Sequence, residues 1–125
     1  MDAETFKKLI HPPLKERGFK RSGATWRLQQ PGSVAVLNVQ RSSWGGGDFY
    51  VNLGVYFSEI GTDPSPTENK CHVQFRLDVE DPLVVAEKAA SWFAERSRLQ
   101  DAARLAESDS KKGLVFKEVR SALQA

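Results

Sequence analysis

The chain has 125 residues, of which 40% are hydrophobic and 27% charged, and its formal net charge at pH 7 is +2. This balance predicts one soluble globular domain over residues 1–125, and no apolar run is long enough to cross a membrane. The N-terminus lacks the apolar region of a signal peptide, and a lone cysteine, Cys71, excludes an intramolecular disulfide. We therefore expect a cytoplasmic protein without a membrane partner.

The small net charge hides an uneven distribution along the chain. Residues 1–41 carry eight basic and three acidic side chains, a net of +5. Residues 42–81 carry two basic and seven acidic side chains, a net of −5, and residues 82–125 carry eight basic and six acidic ones, a net of +2. Such blocks indicate either an electrostatic partner surface or regions that neutralise each other. Because the basic residues are scattered rather than interleaved with aromatic ones, nucleic acid is not the favoured partner.

A helix is predicted over residues 2–17, where apolar side chains recur at helical spacing, Asp2 can cap the start and a glycine follows the end. Pro12 and Pro13 lie inside this segment. A proline in a helix interior costs about 3 kcal/mol and disfavours helical geometry in the residue before it. We therefore expect a break or kink near His11, with a second turn opening at the prolines.

Residues 34–57 are predicted to form a hairpin, because two strand-like runs flank a glycine-rich turn. Side chains alternate between the two faces of a strand, so an antiparallel pairing must keep apolar residues opposite apolar ones. One register does so and also matches polar residues on the second face. Its apolar pairs are Val39–Val51, Leu37–Leu53 and Ala35–Val55, and its polar pairs are Asn38–Asn52 and Gln40–Tyr50.

Two further strands are predicted, over residues 25–30 and 70–78, and a loop is predicted over residues 58–69. In the later strand, alternation places Cys71 on the apolar face as a core cysteine. It places His72 on the opposite face, so the two side chains cannot form a catalytic pair.

The C-terminal part is predicted to be helical. Asp81 followed by Pro82 is typical of a helix start. The apolar pattern continues to about residue 105, either as one helix or as two with a break near residues 98–101, and a short helix is predicted over residues 115–123. The fold expected from these elements is α+β, with an antiparallel sheet of about four strands and helices packed on one face.

Four segments carry a resemblance to a known family: GFKR (18–21), NVQRSSW (38–44), FYVNLGVY (49–56) and CHVQFRL (71–77). Together they resemble a bacterial family catalogued as domain of unknown function 4304 (DUF4304). The similarity extends to about residue 95, and its most specific part runs from Gln40 to Gly54. The resemblance implies a small α+β domain and brings no activity, cofactor or catalytic residue.

Polar side chains on the second sheet face form the candidate site, if the strand at residues 70–78 lies beside the hairpin. Amide, phenol and guanidinium groups can recognise a polar ligand or peptide, although a wet sheet face is also common. A tryptophan in the glycine-rich turn is either displayed for protein recognition or folded back on the sheet. The candidate binding residues are Asn38, Gln40, Trp44, Tyr50, Asn52, His72 and Arg76, with Gln74 on the same face.

No nucleophile, dinucleotide or metal-ligand pattern accompanies these residues, so an enzyme is not favoured and no metal or cofactor is expected. The favoured function is a non-catalytic binding or interaction module with a protein partner. One concrete version is an immunity-type protein that binds a bacterial toxin. The alternative is a small-molecule or nucleotide binder that uses the polar sheet face.

Overall fold

The fold is α+β, as predicted, and is seen in a computed structural model that describes residues 1–42, 47–108 and 114–115. Its six described strands form one antiparallel sheet in chain order, two more than the sequence predicts. The described elements are α1 (Ala3–Glu16), β1 (Lys20–Ser22), β2 (Thr25–Gln30), β3 (Ser33–Arg41), β4 (Phe49–Phe57), a 3₁₀ helix (Glu68–Lys70), β5 (Val73–Leu77), α2 (Pro82–Glu95), α3 (Leu99–Ser108) and β6 (Leu114–Val115).

The hairpin of β3 and β4 pairs in the predicted register. Leu37 lies opposite Leu53 and Val39 opposite Val51, and all four side chains are buried. They belong to the main hydrophobic core, in which one face of the sheet packs against α1, α2 and α3. Complete burial of a leucine or valine side chain stabilises the fold by about 1.5–3 kcal/mol relative to exposure. The register therefore stabilises the main core by placing buried apolar side chains opposite one another.

Helix α1 continues from Ala3 to Glu16 with both prolines inside it, so the predicted break near His11 is wrong. The start is capped as expected, because the Thr5 backbone N–H donates to Asp2 Oδ1 at 2.8 Å. At the middle of the helix, Trp26 Nε1 of β2 donates to His11 Nδ1 at 3.1 Å. This contact and the burial of the apolar stripe of the helix compensate for the loss of the backbone hydrogen bonds that the prolines cannot donate.

The end of α1 is closed by a glycine motif. Gly18 has a positive φ of 95°. Its N–H donates to the Lys15 carbonyl at 3.0 Å, and the Phe19 N–H donates to the Leu14 carbonyl at 3.0 Å. These are the paired bonds of a Schellman motif, which require the left-handed conformation that glycine adopts at low cost.

The C-terminal segment contains two described helices, α2 and α3, rather than the single long helix that the sequence also allows. The first begins as predicted, with Leu83 N–H donating to Asp81 Oδ1 at 3.0 Å. Leu114–Val115 pairs with β5, so the helix predicted over residues 115–123 is wrong at its first residue, and its remaining residues lie outside the described ones. Among the described helices, none is long and apolar enough to span a membrane.

The strand predicted over residues 70–78 is shorter in the structure, and Cys71 lies on the opposite face of the sheet from the one predicted. A 3₁₀ turn precedes Cys71, which packs with Val34, Val36 and Tyr56 on the face that points away from the helices. Strand alternation holds only from Val73 onward. Cys71 is buried, as predicted, but it belongs to a second apolar cluster rather than to the main core.

Gly54 is required by the close approach of Cys71. A Cβ atom added at Gly54 would lie 2.7 Å from both Cβ and Sγ of Cys71. An alanine in a strand is otherwise about 0.5–1 kcal/mol more favourable than glycine. We predict that Gly54→Ala instead lowers the free energy of unfolding by about 1–3 kcal/mol through overpacking, as measured by urea denaturation.

The variant Cys71→Gly removes the side chain with which the added methyl group would clash, so it separates this clash from any other effect of Gly54→Ala. In a double-mutant cycle, Gly54→Ala should cost at least about 1 kcal/mol less in the Cys71→Gly background than in the wild type. Equal costs in both backgrounds would contradict the packing explanation.

Candidate functional site

A row of polar side chains crosses the sheet on the face opposite the helices. The register places Thr25 of β2 opposite Asn38 of β3, Asn38 opposite Asn52 of β4, and Asn52 opposite Arg76 of β5. Gln40 and Tyr50 form the next pair toward the turn. The predicted neighbourhood of β4 and β5 is therefore present. We call these six residues the polar strip: Thr25, Asn38, Gln40, Tyr50, Asn52 and Arg76.

Asn52 is the centre of the polar strip and is only 5% exposed. Its Nδ2 donates to Gln40 Oε1 at 2.9 Å, and its Oδ1 accepts from Arg76 Nε at 3.0 Å. A buried amide without partners would cost about 1–3 kcal/mol, so these bonds explain how a polar group is tolerated here. They also fix the position of the Arg76 side chain.

The guanidinium of Arg76 is held a second time by an aromatic ring. Its Cζ lies 4.1 Å from the centre of the Tyr50 ring, a cation–π distance. Within the described residues, Arg76 makes no ion pair, and its hydrogen bond to Asn52 uses Nε. The side chain is exposed, so its terminal nitrogens are presented to solvent in a fixed orientation. This arrangement can bind a carboxylate or phosphate through two parallel hydrogen bonds.

The opposite end of the polar strip is tied to the start of β2. Asn38 Nδ2 donates to Thr25 Oγ1 at 3.0 Å and to the Ala24 carbonyl at 3.3 Å. Strand alternation places Thr25 on this face, but the site predicted from the sequence does not include it. The pairing of β2 with β3 is a contact between separate segments, and without it the sequence does not place Thr25 beside Asn38.

His72 does not join the polar strip, contrary to the prediction. It is buried, its Nδ1 accepts from the Phe57 N–H at 3.0 Å, and its ring lies 4.5 Å from that of Tyr56. Gln74 is likewise used within the protein, since its Nε2 donates to the Asn69 and Cys71 carbonyls. Trp44, the remaining predicted residue, lies outside the described residues.

Cys71 is poorly suited to nucleophilic chemistry. Its side chain is fully buried, and its thiol donates to the Thr67 carbonyl at 3.6 Å. Burial raises the pKa of the Cys71 thiol far above its ordinary value, and the nearby Glu68 carboxylate raises it further. Glu68 itself has a raised pKa because of burial, opposed by the charge of Arg76. In the described part of the chain, no group of three His, Cys, Asp or Glu residues could hold a metal ion.

Comparison with known families supports the resemblance seen in the sequence. The model of a family described as Domain of unknown function (DUF4304) matches residues 10–111 of the 125. The chain belongs to this family. No curated protein and no solved structure matches the chain. The matched range contains the whole polar strip.

The DUF4304 resemblance includes the triplet Asn52-Leu53-Gly54, and the structure gives each of these residues a structural role in this chain. Asn52 bonds Gln40 and Arg76, Leu53 is fully buried in the core, and Gly54 leaves room for Cys71. Leu53 thus lies on the core face of the sheet, whereas Asn52 and Gly54 lie on the opposite face. Within it, only the Asn52 side chain takes part in the candidate site.

We predict that Asn52 and Arg76 are energetically coupled. Asn52→Ala should lower the free energy of unfolding by about 1–2 kcal/mol, because hydrogen bonds at a nearly buried position are lost. Arg76→Ala, at an exposed position, should cost less than about 1 kcal/mol. In urea denaturation of both single variants and the double variant, the coupling energy should be about 0.5–1.5 kcal/mol. Strict additivity would show that the observed bond does not contribute.

The burial of Cys71 predicts slow reaction with thiol reagents. In the native protein, labelling by a thiol-reactive disulfide should be at least about a hundredfold slower than in denaturant, because the thiolate is disfavoured and access requires local opening. The measurement is the absorbance change on release of the reagent's leaving group. Native and unfolded rates within about tenfold of each other would contradict the buried, protonated thiol.

Proposed function

We propose that this DUF4304 protein is a non-catalytic interaction module that binds a protein partner through the polar strip. The observation that supports the proposal is the exposed Arg76, fixed by Asn52 and by the Tyr50 ring. Arginine and tyrosine are enriched among the residues that dominate binding energies at protein interfaces. A side chain that is already ordered loses less entropy on binding, so more of its interaction energy contributes to affinity.

The shape and charge of the polar strip favour a protein over a metabolite. Gln40 and Arg76 are exposed on a sheet face, whereas small-molecule sites are usually concave. Arg76 fits an aspartate or glutamate side chain, and the amide of Gln40 and the hydroxyl of Tyr50 can hydrogen-bond to neighbouring backbone groups. The partner proposed is therefore a protein that presents an acidic side chain to this face.

An immunity-type protein that neutralises a bacterial toxin is the most concrete form of this proposal. Such a function needs a stable binding surface and no catalytic group, and charge complementarity would speed association and select the partner. The proposal places binding in the cytoplasm, where a single free cysteine such as Cys71 stays reduced.

The proposal is tested by affinity capture from a native bacterial lysate, followed by identification of the retained proteins. The wild-type chain should retain a specific protein that Arg76→Ala loses. Binding of that purified protein should weaken by at least about tenfold in the variant, as expected for an arginine hot spot. Arg76→Lys should bind with intermediate affinity, because an ammonium group cannot form the paired bonds.

The matched control is Arg98→Ala, which removes an exposed arginine outside the polar strip. It should bind the retained protein with wild-type affinity. The proposal would be overturned if no protein were retained, or if Arg76→Ala and Arg98→Ala bound it equally well. A retained toxin whose activity is inhibited by the wild type alone would establish the immunity form.

A further inference from the structure

A second candidate site lies at the edge of the same sheet, beside the Thr25 end of the polar strip. It is a cleft of about 530 Å³ between the first two strands and the turn at Pro64 and Ser65. This volume is within the range of about 300–1,000 Å³ typical of small-molecule sites. The residues that line the cleft are Gly18, Lys20, Arg21, Ser22, Arg27, Leu28, Gln29, Val34, Pro64 and Ser65.

The cleft concentrates positive charge without a compensating acid. Lys20 of β1 lies directly opposite Arg27 of β2, so the two side chains share one face of the sheet. Like charges in this position destabilise a strand pair, by a magnitude of about 0.2–1 kcal/mol. The lining contains no aspartate or glutamate, and among the described residues neither Lys20, Arg21 nor Arg27 makes an ion pair.

Arg27, one of the two cationic side chains on this face, is held in place by a neutral partner. Its Nε donates to the Pro66 carbonyl at 2.8 Å. This bond leaves the terminal nitrogens of the guanidinium for an anion while its position is restricted. The fixed charge therefore costs little further entropy when an anion binds. Arg21 lies opposite Trp26, and its Cζ is 5.0 Å from the centre of that ring, so its guanidinium lies on the helix side of the sheet.

The far wall of the cleft is also ordered by hydrogen bonds. The Asp63 N–H donates to the Tyr56 hydroxyl at 3.0 Å, and the Ser65 N–H donates to Asp63 Oδ1 at 2.9 Å. Asp63 is the nearest acidic residue in sequence to the cleft wall, and its carboxylate already accepts this bond. Gly61 lies against the Tyr56 ring, where an added Cβ would be 2.0 Å from the hydroxyl oxygen. The turn at residues 64–65 is thus attached to β4.

We infer that this cleft binds a small molecule that carries a phosphate group. A phosphate dianion offers several acceptor oxygens, which match the Arg27 guanidinium, the Lys20 ammonium group and the polar side chains of Gln29 and Ser22. A single carboxylate would neutralise fewer of these charges. No residue that lines the cleft belongs to the polar strip, so the inference does not depend on the proposed protein partner.

Protection of the sheet edge accounts for only part of this basic cluster. Charged residues on an edge strand discourage aggregation between sheets, which would explain Lys20 and Arg21 on β1. Arg27 lies on β2, which is paired on both sides, so edge protection does not explain it.

A nucleic-acid groove also fits the cleft less well than a small phosphate ligand does. Single-stranded nucleic acids bind grooves that combine basic groups with aromatic platforms on which the bases stack. The described lining of the cleft contains no aromatic side chain. The cleft therefore offers contacts to a phosphate group but no surface for a stack of bases.

The test is a titration of the ¹⁵N-labelled full chain, followed by amide chemical shifts. The probes are inorganic phosphate, adenosine 5′-monophosphate and a short single-stranded RNA, at constant ionic strength. Phosphate and the nucleotide should cause saturable shifts at Lys20, Ser22, Arg27 and Ser65. Arg27→Gln and Lys20→Gln should each weaken nucleotide binding by at least about tenfold, as expected for a charge-assisted contact.

The control variants Arg98→Gln and Lys8→Gln remove the same charges at exposed positions outside the cleft. They should bind the nucleotide within about twofold of the wild type, because neither residue lines the cleft and exposed charges are screened by salt. Lys20 lies on an exposed edge strand, so Lys20→Gln tests the cleft even if Arg27→Gln impairs folding.

The inference would be overturned by the absence of a saturable shift, by shifts outside the cleft, or by equal losses of binding in the control variants. Tighter binding of the RNA than of the nucleotide would also overturn it, in favour of a nucleic-acid surface.

Discussion

The pairing of β3 with β4 determines what each face of the sheet carries. With Leu37 opposite Leu53, one face is apolar and packs on the helices, while Asn38, Asn52 and Gln40 point away from them. A shift of one residue in either strand would expose the leucines and bury the amides. Because the same register builds the core and aligns the polar strip, the candidate site depends on the interaction that stabilises the fold.

The face opposite the helices is divided into two unlike halves. Toward the turn this face is polar, and the side chains of the polar strip form hydrogen bonds with one another. At the opposite end Val34, Val36, Tyr56 and Cys71 form a small apolar cluster that the 3₁₀ turn and its preceding loop approach. The same loop forms one wall of the basic cleft. A sheet face that antiparallel proteins often leave to solvent thus carries both candidate sites.

Membership of DUF4304 describes the architecture of this chain more than its chemistry. Asn52, Leu53 and Gly54, which belong to the most specific part of the resemblance, have roles in bonding, burial and close packing. The side chains proposed to bind a partner or ligand are instead ones that the fold does not require. These are Arg76, exposed beside Tyr50, and the opposed pair Lys20 and Arg27, for which the described structure offers no acidic partner.

Local patterns in the sequence determined most of the elements, the hairpin register, the Asp2 and Asp81 caps and most members of the polar strip, because alternation and capping depend on neighbouring residues. Contacts between distant segments decided the rest. The bond from Trp26 to His11 supports a helix through two prolines, and the turn before β5 places Cys71 on the face away from the helices. The opposition of Lys20 and Arg27 likewise arises from strand pairing. Such contacts depend on how whole segments pack against one another, so periodicity alone does not specify them.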